Sequence, residues 1–597
     1  MTVGRDGIIR LWDVKKGEVM ASLVIKDQDD WVVSDQTGRF DATPAAQKSM
    51  HFVIGLESIA LEQLKERYYE PGLLSKIINH QPLRDVSKFE NPKLNPDVKY
   101  APLAKGSSTL SVTLTNRGGG IGRVQVFVNG KEFLADARDD KLKRNPNVAK
   151  ATLTIDLSKA TGAVAGKDND IRVVAWNVEN YISSRGTQVV WTPEGETDRA
   201  PPEVYAIIGG ISNYAGSQLN LSFAAKDAVD IANAIELGAK RLFGADKVHL
   251  TLLTTADDPR AVSPTKENFT KAFEAARKAK PTDILIVYLA GHGITLQRGS
   301  DTYCYLTEEA RTTDTAVLSD SEVRRREAVT SEELVEWIKQ IPALKQVVML
   351  DTCAAGAAET QLKLVDKREL SGDAIRAIDR TKDRTGSYIL LGSAADAVSY
   401  EASQYGQGIM TYALLKGMKG AALRNDEFVD ISKLFLYARD EVEQLAKNIG
   451  GIQRPVIFAP KDDSFEVGQL KSEDKQRITL ATPKPMILRP RFLDAQADDD
   501  TLDLMKALRA RLRDESFVTA RGANQPAIVF VDDEDFPGGI RPTGRYTVEG
   551  DKVTVTLRLR RDGKEVGSAQ VITGTKTDVA GLAAKVLEAV KNEIRKF

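Results

Sequence analysis

The chain has 597 residues, of which 42% are hydrophobic and 28% are charged. This length predicts several domains, and the composition is typical of globular domains that each bury an apolar core. The formal net charge of −1 gives no electrostatic basis for a polyanionic partner, so no nucleic acid is expected. Residues 1–10 lack the plan of a signal peptide and no apolar run reaches the ~18 residues of a membrane span, so we expect a cytoplasmic protein without a membrane partner.

The first part of the chain reads as short strands. Gly4–Val24 alternates and turns like two strands, and Leu11-Trp12-Asp13 resembles the signature that closes a WD-repeat propeller blade. One blade cannot bury its faces alone. The chain is therefore expected to be a fragment of a longer WD-repeat protein, or its opening strands dock elsewhere; a plain hairpin is the alternative. Trp31–Phe40 predicts a hairpin, and Leu61–Ile78 predicts an amphipathic helix broken by Pro71-Gly72.

A second all-β part follows a proline-rich boundary at Pro92, Pro96 and Pro102. From Leu110 to Trp191 the sequence consists of short alternating strands, with a hairpin turn at Asn129-Gly130. Strands at this spacing suggest an immunoglobulin-like sandwich. No polar cluster in it suggests chemistry, so its predicted role is presentation or partner binding.

The next part alternates strands and helices, which is typical of an α/β sheet. Thr330, Ser331 and Glu333 predict a capping box at the start of one helix. The elements expected are strands 204–208, 248–253, 284–289, 347–350 and 388–391, with helices from about 219–243, 266–278 and 331–340. A polar span, Glu359–Gly386, predicts a long functional loop.

Two of the predicted strands end in residues that can do chemistry. Asp283–Gly293 runs into His292, and Lys345–Gly356 runs into Cys353. The carboxyl ends of parallel strands meet at one edge of a sheet, so His292 and Cys353 are expected side by side. A thiol needs a neighbouring base to act as a nucleophile near neutral pH. Taken singly, each residue has the alternative of a buried structural role.

The residues around this pair resemble a known family. Tyr288–Gly293 (YLAGHG) and Leu350–Gly356 (LDTCAAG) resemble the two catalytic motifs of caspase-like cysteine peptidases, particularly bacterial caspase homologues and metacaspases. The spacing of about 60 residues is close to the ~50 of caspases. Ala206–Tyr214 looks like the family's first strand and turn, and Leu391–Asp396 with Gly406–Leu415 looks like the segment after its cleavage loop.

The resemblance implies acyl transfer by a Cys-His dyad. Cys353 would attack the peptide carbonyl, His292 would protonate the leaving amine, and the backbone N–H groups of Gly293 and Cys353 would form the oxyanion hole. In this family the loop after the nucleophile is cut during activation, so cleavage within 359–386 is an expectation. No metal or other cofactor is predicted; the calcium dependence common among metacaspases stays open. An inactive caspase-like interaction scaffold is the alternative.

Charges near the dyad suggest the substrate. Caspases proper hold aspartate with arginines, whereas Leu219–Asp227 contains none. Asp351 precedes Cys353 by two residues, Asp227 stands where metacaspases keep a carboxylate on the first helix, and Ser393 is a further predicted substrate-binding residue. Two carboxylates favour a guanidinium or ammonium, so cleavage after Arg or Lys is predicted. The alternatives are a carboxylate that orients backbone for Asp351 and an exposed helix charge for Asp227.

The last part of the chain predicts a small α+β unit. Its signals are a basic amphipathic helix near Leu502–Arg513, a strand at Ala527–Val531, a hairpin turning at Asp562-Gly563 and a terminal helix Val579–Lys596. Because no catalytic motif appears in it, binding or assembly is its expected role, and regulatory protein partners are expected on the accessory parts. The complete prediction is a multidomain chain: WD-repeat-like strands and helical connector 1–95, all-β immunoglobulin-like sandwich 96–196, α/β caspase-like sheet with flanking helices 197–462, and small α+β domain 463–597.

Overall fold

The computed structural model of the chain describes most of its residues. The described ranges are 1–27, 30–54, 56–103, 106–197, 200–296, 302–354, 371–392, 405–448, 454–460, 463–517, 528–536 and 538–596. Within these ranges no helix combines the length and the apolar character needed to cross a bilayer.

The N-terminal part is an antiparallel meander followed by short helices. Its five strands pair in chain order, and Pro71-Gly72 separates two helices as predicted, so the strand and helix predictions for this part are confirmed. The resemblance to a WD-repeat blade stays a prediction. The elements are β1 Thr2–Val3, β2 Ile9–Asp13, β3 Glu18–Ile25, β4 Trp31–Ser34, β5 Phe40–Ala42, α1 Pro44–Ser49, β6 His51–Ile54, β7 Glu57–Ala60, α2 Leu61–Tyr68 and α3 Leu73–Ile78.

The second part consists of two antiparallel sheets that share one apolar core. One sheet has the order β11-β10-β13-β14 and the other β12-β9-β8, and the hairpin turn at Asn129-Gly130 joins β10 to β11 as predicted. The finer assignment to an immunoglobulin-like topology stays a prediction. The elements are β8 Asp97–Tyr100, β9 Thr109–Thr115, β10 Val124–Val128, β11 Lys131–Leu134, α4 Asp140–Arg144, β12 Lys150–Asp156, β13 Asn169–Ala175 and β14 Thr187–Trp191.

The third part is built on a mostly parallel sheet with the order β17-β16-β15-β18-β21-β22-β24, in which β24 is antiparallel to β22. Strand β19 pairs with the end of β18, and β20 pairs with β19. The elements are β15 Val204–Gly210, α5 Ala224–Phe243, β16 Val248–Thr254, β17 Ala261–Val262, α6 Lys266–Ala276, β18 Ile284–Thr295, β19 Tyr303–Leu306, α7 Thr315–Leu318, α8 Ser321–Glu327, β20 Ala328–Thr330, α9 Ser331–Gln340, β21 Lys345–Ala354, α10 Gly372–Thr385, β22 Tyr388–Leu391, α11 Ile409–Lys416, β23 Phe428–Asp430, α12 Ile431–Asn448, β24 Val456–Phe458, β25 Glu466–Gln469 and α13 Ser472–Arg477.

The central strands are apolar throughout because helices cover both faces of the sheet. Alternate side chains of β18 and β21 enter two different cores, so Ile286 and Met349 lie in one while Val287 and Val348 lie in the other. The predicted capping box of α9 is confirmed: the Glu333 N–H donates to Thr330 at 3.1 Å and the Thr330 N–H donates to Glu333 at 2.9 Å. Helix α5, the first of the third part, begins at Ala224 rather than near residue 219, because Leu219 belongs to a preceding 3₁₀ turn.

The prediction of a polar loop over Glu359–Gly386 is wrong in its second half. Residues 372–385 form helix α10, which Ser371 caps at its N-terminus and Gly386 ends in a left-handed conformation. Residues 355–370 lie outside the described part of the chain. The charges in this span suggested a solvated loop, but several of them meet oppositely charged partners from the first two parts of the chain.

Helix α10 is fastened to the preceding parts by ion pairs along its length. The Arg376 side chain is 3% exposed and lies 3.3 Å from Glu70, which is 2% exposed. Glu70 also pairs with Lys76 and Arg84. The other contacts that cross to α10 are Lys65 with Asp379 and Asp383, and Glu132 of β11 with Arg384. The first two parts of the chain therefore hold helix α10, which follows residues 355–370 after Cys353.

The last part is a sheet with the order β28-β26-β29-β30-β31, with β27 beside β29. Two helices pack on one face of it, and Asp562-Gly563 forms the β30–β31 turn as predicted. Pairing of β25 with β23 shows that contacts of the third part continue past residue 463. The elements are β26 Met486–Leu488, β27 Arg491–Asp494, α14 Leu504–Phe517, β28 Val529–Val531, β29 Ile540–Glu549, β30 Lys552–Arg561, β31 Lys564–Thr575 and α15 Val579–Ile594.

Replacing Glu70 tests the attachment of α10. Glu70→Ala should lower the free energy of unfolding by about 3–5 kcal/mol, because it leaves the buried Arg376 without one of the carboxylates that offset its desolvation. Urea denaturation measures the effect. The matched control is Glu90→Ala, which removes an exposed ion pair with Lys88 and should change stability by less than ~0.5 kcal/mol. Equal midpoints for the two variants would contradict the attachment.

Candidate active site

The two motif strands lie side by side in parallel register. Strand β18 pairs with β21 from Ile284 opposite Lys345 onward, and this register sets His292 directly opposite Cys353. Backbones of neighbouring strands are about 4.8 Å apart. Both strands run further than predicted, so the two residues lie in the carboxyl-terminal parts of the strands rather than in the turns after them. The expected juxtaposition at the carboxyl edge of the sheet is thus present in the backbone.

The imidazole of His292 is buried and oriented by a backbone carbonyl. Its Nε2 lies 2.7 Å from the carbonyl oxygen of Leu219. Because a carbonyl can only accept a hydrogen bond, Nε2 carries the proton and donates. In the neutral ring Nδ1 is then the basic nitrogen. This contact was not predicted, because a main-chain acceptor leaves no side-chain signal in the sequence.

Tyr214 fixes the other side of His292. Its hydroxyl accepts the His292 backbone N–H at 3.0 Å, and the two ring centroids are 5.2 Å apart. Gly291 has a φ of 149°, and a Cβ there would lie 2.7 Å from the Tyr214 hydroxyl. Only glycine fits both restraints at this position. Tyr214 closes the quoted motif Ala206–Tyr214, but its contact with His292 was not predicted.

The residues predicted for the oxyanion hole are adjacent in the sheet. Gly293 follows His292 and pairs with Ala354, one position beyond Cys353. Next to them, Thr352 and Tyr303 share a hydrogen bond of 2.5 Å between their hydroxyls. The role of the Gly293 and Cys353 N–H groups stays a prediction.

The second cysteine occupies an apolar core. Cys304 is fully buried on β19, and burial raises the pKa of its thiol to about 12. A thiol with such a pKa supplies almost no thiolate near neutral pH. Cys304 is therefore unsuited to nucleophilic chemistry.

The two carboxylates predicted to bind substrate converge at the start of α11. Gly408 donates its N–H to Asp227 at 2.9 Å, and Thr411 donates its hydroxyl to Asp351 at 2.6 Å. A Cβ on Gly408 would lie 2.8 Å from Asp227 and 3.1 Å from Asp351, so glycine is needed where the two carboxylates meet. Ser393, the third predicted binding residue, lies outside the described residues.

Burial makes this carboxylate pair costly to ionise. Asp227 is 2% exposed, and burial together with the nearby charge of Asp351 raises its pKa well above the usual range. Burial also raises the pKa of Asp351, against hydrogen bonds from Thr411 and Tyr288. Within the described part of the chain, Oδ1 of Asp227 has no hydrogen-bond partner. A buried acceptor in this condition is suited to a cationic donor.

Metal ligation has no obvious place in the described ranges. No group of three or more His, Cys, Asp or Glu side chains there is arranged to hold an ion. The absence of a cofactor stays a prediction.

Comparisons with known proteins identify the third part. Residues 203–465 match the family model of the caspase domain. No curated protein matches the chain. A solved structure described as drICE aligns at 10% identity over 45% of this chain and 93% of its own, with a TM-score of 0.25. A putative polysaccharide deacetylase, BA0330 from Bacillus anthracis, aligns at 11% identity over 43% and 70%, with a TM-score of 0.13. The match of residues 203–465 to the family model shows that the chain contains a caspase-like domain, as its two motifs predicted.

Neutralising Asp227 should stabilise the protein. The raised pKa means that the folded state holds this proton more tightly than the unfolded state, so the free energy of unfolding falls as pH rises above the ordinary aspartate pKa. At pH 8 Asp227→Asn should be more stable than the parent by more than the ~0.5 kcal/mol typical of surface substitutions, because the amide carries no charge to desolvate. Urea denaturation at pH 5 and pH 8 measures both effects. The exposed Asp246→Asn is the control. An Asp227→Asn protein with no greater free energy of unfolding than this control would refute the cost of ionising the buried carboxylate pair.

Proposed function

We propose that this protein is a cysteine endopeptidase of the caspase and metacaspase type that cleaves after arginine or lysine. The observation that supports it most is the β18–β21 register, which sets His292 opposite Cys353 inside the region that matches the caspase domain. The burial and high pKa of Cys304 support Cys353 as the nucleophile.

The chemistry follows from how His292 is held. His292 Nδ1 takes the proton of the Cys353 thiol, and the thiolate attacks the carbonyl carbon of the peptide. The backbone N–H groups of Gly293 and Cys353 stabilise the oxyanion, and the imidazolium then protonates the leaving amine. Water, deprotonated by the same nitrogen, hydrolyses the thioester and restores the thiol. The Leu219 carbonyl stabilises the imidazolium of each cycle, because a charged donor strengthens its hydrogen bond.

The acidic pair accounts for the proposed substrate preference. A guanidinium entering beside Asp227 and Asp351 supplies donors to the unpartnered Oδ1 atom and offsets the repulsion between the two carboxylates. An aspartate in the same place would add a third negative charge in a desolvated site. Binding of a cation should lower the pKa of both carboxyls.

Peptides that differ only in the residue before the cut test this preference. Cleavage after Arg should exceed cleavage after Asp by at least ~10²-fold in kcat/KM, because an unmatched buried charge costs ~2–5 kcal/mol. Asp351→Asn should lower the ratio of Arg to neutral-substrate activity at least tenfold, whereas a residue that only tunes Cys353 would lower both activities equally. Cys353→Ala is the blank and should be inactive. Absence of any cleavage by the parent would favour the inactive scaffold.

Activation by self-cleavage is proposed for a shorter segment than the sequence suggested. Arg376, Arg380, Lys382 and Arg384 belong to α10, and proteases need their substrate in an extended conformation. We therefore confine the activating cut to 359–370, which offers Lys363, Lys367 and Arg368.

Intact-mass analysis after incubation tests this proposal. Fragments should end at Lys363, Lys367 or Arg368, and should be absent from the Cys353→Ala protein. Changing these three residues to Gln should block the cut, while Arg380→Gln, its control on α10, should leave it unchanged. Cuts inside α10, or cuts that persist in Cys353→Ala, would contradict self-cleavage within 359–370.

A further inference from the structure

A buried glutamine lies directly beside the two carboxylates at the start of α11. Gln407 precedes Gly408, whose N–H donates to Asp227 at 2.9 Å, and the Gln407 side chain is fully buried. Its hydrogen-bond partners come from helix α5 on one side and from residues 479–481 on the other. The latter belong to the C-terminal connector, residues 478–485, which joins α13 to β26. The acidic pair is therefore in indirect contact with the segment that leads into the last part of the chain.

The Gln407 amide uses both of its N–H donors and its carbonyl acceptor. Its Nε2 donates to a carboxylate oxygen of Asp230 at 2.7 Å and to the carbonyl oxygen of Thr479 at 3.3 Å. Its Oε1 accepts the N–H of Ala481 at 3.3 Å. Exchange of the nitrogen and the oxygen would set the amide oxygen against two acceptors, so a single orientation fits. One side chain thus ties α5 to the C-terminal connector.

Asp230 brings a third carboxylate close to the acidic pair. It lies three residues after Asp227 on α5, so the two side chains share one side of the helix. Burial, then the charge of Asp351 and then that of Asp230 raise the pKa of Asp227. Lys226 forms an ion pair with Asp230, and the Gln407 amide donates to the same carboxylate. Without Gln407 the charge of Asp230 would act more strongly on Asp227.

The C-terminal connector is fixed by the apolar core that also holds α11. Ile478 at the start of the connector and Met486 just after its end lie in the same core as Ile409 of α11. Lys419, which follows α11, donates to the Ile478 carbonyl oxygen at 3.0 Å. A side chain that is held by packed elements on both sides can fix the position of a neighbouring group. Gln407 has this kind of support, and Gly408 is its neighbour in the chain.

We propose that Gln407 is a positioning residue for substrate selection. It holds the Gly408 N–H on Asp227 and offsets the charge of Asp230, so that the acidic pair is arranged to receive a guanidinium or ammonium group. The C-terminal connector supplies part of this support, and through it the last part of the chain contributes to the choice of substrate. This inference rests on the proposed function, in which the acidic pair binds the Arg or Lys side chain.

Two variants of Gln407 test the proposal with the peptides that differ only in the residue before the cut. Gln407→Glu keeps the shape but places a carboxyl group against Asp230, whereas Gln407→Met removes the hydrogen bonds without adding a charge and serves if the first variant does not fold. Each should lower the ratio of Arg to neutral-substrate kcat/KM at least about tenfold, the effect expected when a buried hydrogen bond to a charged group is lost.

The matched control is Gln469→Glu. The Gln469 amide also donates to a carboxylate, that of Glu427, at 2.7 Å. Its neighbour Gly468 packs on Gly238, about three turns of α5 away from Asp227. The same chemical change is thus made at a distance from the acidic pair, and the ratio of Arg to neutral-substrate activity should equal that of the parent.

Binding of benzamidine, an amidinium cation, separates this inference from the proposed activity. Isothermal titration calorimetry on proteins that also carry Cys353→Ala should show binding weakened at least about fivefold by Gln407→Met. Gln469→Glu should leave the affinity unchanged. Benzamidine binding that depends on Gln407 in a protein whose parent cleaves no peptide would support the positioning role and refute the peptidase.

Three results would overturn the positioning role. The first is no binding of benzamidine by the Cys353→Ala protein. The second is a ratio of Arg to neutral-substrate activity in both Gln407 variants that equals the ratio of the parent, which includes the case in which both activities fall equally. The third is an equal loss of the ratio in Gln469→Glu, because the effect would then not be specific to the acidic pair.

Discussion

The parallel pairing of β18 with β21 is the constraint on which the candidate site depends. Side chains alternate across a sheet, so a slip of one residue would move His292 away from Cys353 and send every apolar residue of the strand to the wrong core. The register is well specified, because each strand contributes alternate residues to two different apolar cores. The packing of the whole domain therefore sets the positions of His292 and Cys353.

Register brings the backbones together, but the imidazole needs further support. The loop between β15 and α5 provides it, through the Leu219 carbonyl and the Tyr214 hydroxyl. The Leu219 carbonyl accepts from Nε2 and so fixes which ring nitrogen carries the proton. The Tyr214 hydroxyl accepts the His292 backbone N–H and so holds the end of the strand. The geometry of the site thus comes from one loop and two strands.

The apolar strands and the residues at their ends could be read from the sequence, because a buried strand ending in His or Cys is unusual. Asp227 and Asp351 could be predicted as site residues from the sequence. Their convergence on Gly408, which precedes α11, could not, because an uncharged glycine gives no sign of the carboxylates that meet there. The loop prediction failed for a physical reason. Arg376 and Asp379 look like solvated charges when read locally, but their partners Glu70 and Lys65 are about 300 residues away in the chain. Long-range ion pairs leave no local pattern.

The acidic pair at the start of α11 is costly because of where it lies. Asp227 and Asp351 are buried, so their repulsion acts in a medium of low polarity and is relieved only when a proton or a cation binds. A buried pair of this kind is therefore suited to select a single cationic side chain strongly, because a neutral or anionic side chain would leave the carboxylates uncompensated.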